Sequence, residues 1–256
     1  MSKQIFSQAR LVELWCAEPV FFASRELSDT YYTEGAIGNY ALAYAFGWVN
    51  SPYRLQDKAT GRPTYKEDLQ PLNQSCYVLP ASPINGRVTY RFERFNALSD
   101  AYWYAMTNNR VATARQDLLI KRQDKNKTPK SYRPSNFPQV GRIRMIERGN
   151  KFQTLVFGNQ ELPDYIRIGK FRSKVKVNVV NELEISELPE GEYSTTNYLN
   201  SADLSSGTQI LSFDLISMPP APLFKNFHFY GAGLQIGEMV LPAGLSFCGG
   251  GNNNEQ

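Results

Sequence analysis

Four basic residues stand at every second position of one short stretch of the chain. They are Lys170, Arg172, Lys174 and Lys176. If this stretch is an extended strand, the four side chains point to one face at intervals of about 6.6 Å, because successive side chains of a strand alternate between faces. Such a row of cations can follow the phosphates of a single-stranded nucleic acid. An edge strand that uses lysines to prevent aggregation would show the same pattern.

Basic charge is also concentrated in one larger segment. Residues 110 to 151 contain twelve Lys or Arg and three Asp or Glu, although the whole chain has 28 basic and 24 acidic residues. Residues 182 to 192 contain five glutamates and no basic residue. This asymmetry is typical of a protein that binds a polyanion with one face. A solvated charged loop would have the same composition.

Aromatic residues stand next to basic ones in several places. Examples are Tyr90-Arg91-Phe92, Tyr132-Arg133 and Lys170-Phe171-Arg172. Single-stranded RNA is commonly bound by stacking of its bases on aromatic rings, with Arg and Lys on the phosphates. Aromatic residues of alternating strands also form hydrophobic cores, so we expect many of these rings to be buried.

The sequence has little of the equipment of an enzyme. His228 is the single histidine, and it stands in an alternating, strand-like run. It could act with Lys225 and Tyr230 in RNA cleavage without a metal, but a hydrogen-bonded or exposed strand histidine is the more common case. No GxSxG, HExxH or zinc-ligand pattern occurs, and the carboxylates are scattered. We therefore predict a protein that binds rather than catalyses, with no cofactor and no metal.

Length and composition suit a globular protein with a sizeable core, since the 256 residues are 42% hydrophobic. No run of 18 apolar residues could span a membrane, and the N-terminus lacks the apolar segment of a secretory signal. Cys16, Cys76 and Cys248 form no CxxC pair and suggest no disulfide framework. The expected location is a reducing cytoplasm, without a membrane partner.

The elements that would position the basic residues can be predicted from periodicity. Alternation predicts strands at 11–16, 142–147, 152–157, 170–177 and 208–216. Apolar residues at helical spacing predict a helix over 34–47 with Thr33 as its N-cap. Residues 54–75 are polar and are predicted to form a connection.

Two hairpins are predicted from turn residues. Asn85-Gly86 would join strands at 76–79 and 88–92, and Gly149-Asn150 would join the strands at 142–147 and 152–157. This order of strands and helix favours an α+β fold over a doubly wound sheet.

Residues 99–139 interrupt the strand pattern with a basic, proline-containing insertion. Its composition cannot bury a core, so we expect it to be mobile unless an anion orders it. The tail at 249–256 is also expected to be disordered. The basic residues of the insertion are candidate contacts to nucleic acid or to another subunit: Arg110, Arg115, Lys121, Arg122, Lys125, Lys127, Lys130 and Arg133.

Two motifs resemble a known family. FFASREL at 21–27, followed by IGNYALAYAFG at 37–47 and SPY at 51–53, and LPDYIRIGKFRSKVKV at 162–177 are similar to the small, Cas5-like RAMP subunit of the type I-D CRISPR Cascade. The resemblance covers about residues 10 to 245. It implies a single RAMP domain over 1–256, with a ferredoxin-like (RRM-type) antiparallel sheet, the insertion as a thumb and additional C-terminal strands.

The resemblance also implies a function. Such a subunit is non-catalytic, binds the 5′ handle of the crRNA, caps the filament of backbone subunits and contacts the large subunit near the PAM of target DNA. One copy per complex is expected. A glycine-rich loop that holds Gly231 and Gly233 would approach the RNA backbone. The remaining candidate RNA contacts are Arg25, Arg87, Arg91, Arg142 and Arg144, with the four residues of the 170–176 stretch.

Two other functions stay open from the sequence. Some relatives in other CRISPR subtypes cleave precursor crRNA without a metal, so this chain could be a processing endoribonuclease. It could also be an RNA-binding protein outside CRISPR. Cleavage of repeat RNA would separate the first two possibilities, and co-purification with backbone subunits and a short RNA would exclude the last.

Overall fold

The computed structural model describes residues 6–27, 30–49, 64–96, 120–121, 131–132 and 140–249. Most of the predicted insertion and tail therefore lies outside the described residues. The same holds for seven of its candidate contacts: Arg110, Arg115, Arg122, Lys125, Lys127, Lys130 and Arg133. Lys121 is described only as part of a strand, without its side chain.

Strands dominate the described part of the chain, and the two α-helices there are short. In chain order the elements are β1 (Gln8–Cys16), β2 (Arg25–Leu27), β3 (Thr30–Tyr32), α1 (Asn39–Ala45), α2 (Tyr65–Leu69), β4 (Tyr77–Val78), β5 (Ser82–Pro83), β6 (Tyr90–Asn96), β7 (Ile120–Lys121), β8 (Ser131–Tyr132), β9 (Val140–Ile146), β10 (Lys151–Phe157), β11 (Tyr165–Ile168), β12 (Ser173–Thr195), β13 (Leu199–Asn200), β14 (Gln209–Ile216), β15 (Leu223–Ile236) and β16 (Met239–Pro242).

The strands form one large and two small sheets. The large sheet has the order β13-β15-β12-β1-β10-β4, with β11 beside β12, β14 and β16 beside β15, and β5 beside β10. A four-stranded sheet, called the small sheet below, has the order β2-β3-β9-β6, and β7 pairs with β8. All described pairs are antiparallel except β3 with β9. This confirms a mainly antiparallel α+β fold, while the ferredoxin-like arrangement stays a prediction.

Alternation in β1 shows why this strand lies inside the large sheet. Val12, Leu14 and Cys16 are buried and pack into the main core. On the neighbouring strand, Val177 lies directly opposite Leu14, and Val175 lies opposite Cys16. Paired apolar side chains on one face of adjacent strands are the basic unit of sheet stability, so the strand predicted at 11–16 is confirmed.

The predicted helix at 34–47 starts later than expected. It begins after Gly38, because the backbone of Ile37 instead forms a two-way bridge with Ala81, at 3.1 and 2.8 Å. Thr33 does not cap the helix. Its buried hydroxyl accepts a hydrogen bond from the Phe22 N–H and donates one to the Phe22 carbonyl. Residues 33 to 37 therefore link this segment to Phe22 and Ala81 by hydrogen bonds and do not form the start of a helix.

Neither predicted hairpin forms. The segment around β4 pairs with β10, whereas β6 pairs with β9, so the turn at Gly86 carries the chain from the large sheet to the small one. The turn at Gly149 carries it back, from β9 to β10. Both glycines have positive φ, 64° and 85°, as such turns require. Turns therefore form at both predicted positions, but the strands on either side of each turn do not pair with each other. Each strand instead pairs where its apolar face is buried.

The polar connection predicted at 54–75 is wrong for its described part. α2 covers Tyr65–Leu69, and a 3-10 helix continues over Gln70–Gln74. Leu69 is fully buried, which anchors this polar stretch on the core. In the part of the chain that the structure describes, no helix is both long and apolar enough to cross a membrane.

A buried carboxylate joins four segments of the fold. Asp203 is inaccessible to solvent and is the last residue of the short 3-10 turn, Ser201–Asp203, that Asn200 caps. Four donors surround its two oxygens: Asn39 Nδ2 at 2.6 Å, Tyr40 OH at 2.7 Å, Tyr77 OH at 2.9 Å and the Cys248 N–H at 2.9 Å. Asn39 and Tyr40 belong to the IGNY motif, so this part of the motif has a structural role.

Candidate nucleic-acid interface

One side of the small sheet carries three of the predicted arginines. Directly paired residues point to the same side of a sheet, and the register of β2, β3, β9 and β6 aligns Arg25, Tyr32, Arg144 and Phe92 in one row. The next row contains Arg142 opposite Arg94. We call these six residues the arginine face. The opposite side packs Tyr31, Ile143 and Met145 against Phe21.

Arg144 is the least exposed cation of the arginine face. Its guanidinium lies 4.7 Å from the ring centroid of Tyr32 and 4.2 Å from that of Tyr90. It also donates a hydrogen bond of 3.0 Å to the Thr33 carbonyl, and Glu34 lies 4.0 Å away. Because these groups fix the planar guanidinium on several sides, it is oriented before any ligand binds.

The other members of the face are more accessible. Arg25 is half exposed and pairs with Glu34 at 2.5 Å. Arg94 and Arg142 are exposed, and neither has an ion pair with another described residue. Phe92 is 60% exposed, the highest value among the large apolar residues of the described chain. Exposed guanidinium groups beside an open ring suit phosphates and a stacked base.

The basic insertion at 99–139 lies in the chain between β6 and β9, two neighbouring strands of the small sheet. The last pair of the ladder between these strands is Asn96 with Val140. Arg94 and Arg142 are paired only two positions before that end. Arg142 and Arg144 were predicted from the sequence, whereas Arg94 and Tyr32 were not, and the solvent-facing side of Phe92 was not recognised. An alternation count over 90–96 would have shown Phe92 and Arg94 on one side.

Two predicted arginines do not belong to the arginine face. Arg91 points to the other side of β6 and pairs with Glu93 at 2.7 Å. Arg87 is exposed in the segment before β6. The structure therefore brings together three of the five arginines named from the sequence outside the 170–176 stretch.

The strand predicted at 170–177 is wrong at its start. Lys170, Phe171 and Arg172 form a turn between β11 and β12. The Lys170 N–H donates to the Phe21 carbonyl at 2.8 Å, and the Phe171 ring stacks on Phe21 with centroids 5.2 Å apart. Burial also lowers the pKa of Lys170. The turn is anchored to the back of the small sheet, so only Lys174 and Lys176 remain on the strand.

Gly231 and Gly233 do not form a loop, because both lie inside β15. Gly231 has a φ of 153°, and a Cβ there would lie 3.1 Å from the Gly207 carbonyl oxygen. A Cβ on Gly233 would lie 3.3 Å from the Tyr193 ring. These glycines allow close packing within the sheet, and the predicted glycine-rich loop is wrong.

His228 is held by a carboxylate. Its Nε2 lies 3.0 Å from Glu192 Oε1, and both side chains are exposed to solvent. It alternates with buried Phe227 and Phe229 on β15, as the sequence suggested for a strand histidine. Among the described residues, no group of three His, Cys, Asp or Glu could hold a metal ion.

Comparison with known families decides the classification. The family model of the type I-D CRISPR-associated protein Cas5/Csc1 matches residues 7–250. The chain belongs to this family. Cas5/Csc1 proteins are subunits of CRISPR Cascade, a multi-subunit complex that contains a crRNA. This confirms the resemblance seen in the two sequence motifs.

Other comparisons are more distant. One solved structure, described as the crystal structure of a CRISPR protein from Archaeoglobus fulgidus, shares 14% sequence identity with the chain. The match covers 91% of this chain and 98% of that one, with a TM-score of 0.39. No curated protein matches the chain.

Proposed function

We propose that this Cas5/Csc1 chain binds the 5′ handle of the crRNA with its arginine face. The observation that carries the proposal is the strand register, which aligns Arg25, Arg144 and Phe92 in one row and Arg142 with Arg94 in the next. A guanidinium can contact phosphate oxygens through two parallel hydrogen bonds. The exposed Phe92 ring offers a surface for one base, since every base has a face that can stack.

We include the insertion in this surface. It lies in the chain between β6 and β9, whose ladder ends two pairs beyond Arg94 and Arg142, so an RNA bound to the arginine face would pass near the points where the insertion begins and ends. Phosphates and neighbouring subunits would supply the contacts that its polar composition cannot supply alone. We therefore propose that the insertion acts as a thumb, which also contacts the first backbone subunit and the target duplex near the PAM.

Loss of charge on the arginine face tests the proposal. Arg94→Gln combined with Arg142→Gln should weaken binding of a handle-sequence RNA and reduce the slope of log affinity against log salt by up to about 1.4, or about 0.7 per lost phosphate contact. Arg91→Gln is the matched control, because it removes an arginine from the same strand but from the opposite side. If the double variant and the control behave alike, the arginine face does not hold the RNA.

A second surface suits a protein subunit. β14 pairs only with β15 among the described strands, and its apolar residues Ile210, Leu211, Phe213 and Leu215 are 43% to 56% exposed. On β15, Tyr230 lies opposite Gln209, the residue that precedes Ile210. β12, which carries the glutamates, pairs with the other edge of β15, and its Glu192 lies opposite Tyr230. Negative charge disfavours nucleic acid here, and an exposed apolar edge strand is a typical site of protein association.

We propose that this β14 patch contacts a neighbouring Cascade subunit, with one copy of the chain in each complex. Phe213→Ser with Leu215→Ser should weaken binding to the complex by about 30-fold or more, since loss of one buried interface anchor costs about 2 kcal/mol or more. Val180→Ser is the control, because Val180 is equally exposed but lies on β12 outside the patch. Normal assembly of the double variant would exclude this surface and would leave the RNA proposal intact.

The alternative function is processing of precursor crRNA. The contact between His228 and Glu192 gives that histidine a structural partner, and no second histidine exists in the chain to complete an acid–base pair. We propose a non-catalytic subunit. Incubation of the purified chain with repeat RNA, with and without divalent metal, should give no specific product. A product that disappears in His228→Ala would establish the nuclease instead.

A further inference from the structure

The outer side of the large sheet carries a row in which cations and aromatic rings alternate across four strands. Trp15 on β1 lies directly opposite Lys151 on β10 and opposite Lys176 on β12. Lys176 in turn lies opposite Tyr165 on β11. The order across the sheet is therefore Lys151, Trp15, Lys176, Tyr165. All four side chains are exposed, and the two rings are 40% and 47% accessible.

The charges around this row leave a positive surface. Glu13 pairs with Lys151 at 3.1 Å, and Glu18 pairs with Arg167 at 3.1 Å. Lys176 has no acidic partner among the described residues. Lys174 extends its ammonium over Tyr165, 4.0 Å from the ring centroid. Lys176 is therefore a cation that lies between two rings, and no described carboxylate neutralises its charge.

Spacing suits a nucleic-acid strand. Adjacent strands are about 4.8 Å apart, so Trp15 and Tyr165, separated by β12 alone, stand about 10 Å apart. A short stretch of extended single strand can span this distance, with one base on each ring and the phosphate between them near Lys176. Two rings separated by a lysine do not form the continuous apolar area that a protein interface core needs. The chemistry therefore favours nucleic acid over a protein partner.

We propose that this row, Lys151, Trp15, Lys176 and Tyr165, is a second binding site for single-stranded RNA, in which Trp15 and Tyr165 each stack one base and Lys176 contacts the intervening phosphate. The identity of the bound RNA rests on the proposed function, because this RNA would be the same crRNA that the arginine face binds. The row itself rests on a separate set of strands, so the two sites can be tested separately.

Fluorescence of the full chain tests the site. The chain has three tryptophans, and stacking of a base on Trp15 should quench its emission during titration with a uridine 12-mer. The RNA-dependent part of the quenching should disappear in Trp15→Phe, which keeps a stacking ring and should bind within about threefold of the wild type. Trp15→Ala should lower the affinity by about 5- to 150-fold, the range measured for loss of one stacked base.

Two further variants distinguish a loss of base stacking from a loss of charge and from a loss of folding. Lys176→Gln should reduce the salt slope by about 0.7, the value for one contact to a single strand. Val180→Ser is the control, because it removes an exposed apolar side chain of β12 outside the row and should leave affinity unchanged. Melting temperatures of all variants identify any loss of folding, and Trp15→Phe keeps the test valid if Trp15→Ala unfolds.

The outcomes distinguish the two proposals. If Trp15→Ala and Lys176→Gln bind RNA like the wild type while the Arg94 and Arg142 double variant loses affinity, the row is not an RNA site and the arginine face is. If the row variants affect a deoxyuridine 12-mer but not the RNA, the occupant is a DNA strand and the proposal is wrong. If the wild-type chain binds no RNA, both proposals are wrong.

Discussion

Asp203 should make the stability of this protein fall as pH rises from about 4 to about 6. Burial raises the pKa of its carboxyl from the ordinary 3.8 to about 6, although four hydrogen bonds act in the opposite direction. Between these values the folded chain holds the proton more tightly than the unfolded chain does. The stabilisation is therefore complete below pH 4 and is lost as pH rises through 6.

The size of the effect follows from the pKa difference. About two units separate the folded and unfolded values, and each unit corresponds to about 1.4 kcal/mol, so the group should lower the free energy of unfolding by about 3 kcal/mol between pH 4 and 7. Asp203→Asn has no proton to gain. Its amide would also face the Asn39 amide donor, which should cost about 1 to 3 kcal/mol at low pH.

Urea unfolding of the wild type and Asp203→Asn at pH 4, 5, 6 and 7 measures this directly. The stability of the wild type relative to Asp203→Asn should fall by about 3 kcal/mol across the series, so that the wild type loses its advantage near neutral pH. Tyr77→Phe provides a companion variant: it removes one donor that lowers the pKa of Asp203, so the decline of stability with pH should become larger. A stability of the wild type relative to Asp203→Asn that stays constant or rises with pH would refute the reasoning.

Three further predictions concern other parts of the fold. Gly169→Ala should lower the free energy of unfolding by about 1 to 3 kcal/mol in a urea titration, because φ is 77° and a Cβ would lie 2.6 Å from the Phe21 carbonyl oxygen. Gly86→Ala is the control: its φ is similar, but no atom lies close to the added Cβ, so it should lose less stability. Equal losses in the two variants would contradict the steric argument. Burial raises the pKa of Cys16 to about 12, so its thiol should resist iodoacetamide at pH 8 until urea unfolds the chain; labelling of the folded protein at Cys16 would show that this strand opens. Arg144→Lys should lower the melting temperature by a few degrees, since an ammonium cannot pack flat between two rings, and an unchanged value would mean that the ring contacts add little.

Strands whose burial alternates residue by residue were predictable from the sequence. In β1 and β9 the apolar positions recur largely with period two, whereas in β10 the residues from Thr154 to Phe157 are all buried; the structure places all three strands within three residues of the predicted bounds. The positions of Arg142 and Arg144 on one side of β9, with Ile143 on the other, also follow from alternation alone. The resemblance in the motifs identified the family, which the family comparison confirms.

Tertiary structure decided which strands meet. The arginine face depends on a parallel pairing between β3 and β9, more than 100 residues apart in the chain, and no local pattern encodes that register. The same limit applies to Trp15, which meets Lys176 and Tyr165 only because β12 lies between β1 and β11. The turns at Gly86 and Gly149 reverse the chain locally but do not choose the next partner strand.

The stretch at 170–176 shows most clearly where sequence ends and tertiary structure begins. Alternation assigned all four cations to one strand. In the folded chain, contact of Lys170 and Phe171 with Phe21 bends the first part into a turn, so that Lys174 and Lys176 alone stay in the sheet. The sequence determined the charge and the two-residue period, because both are local properties. Packing against a distant aromatic residue decided how many of those charges share one face.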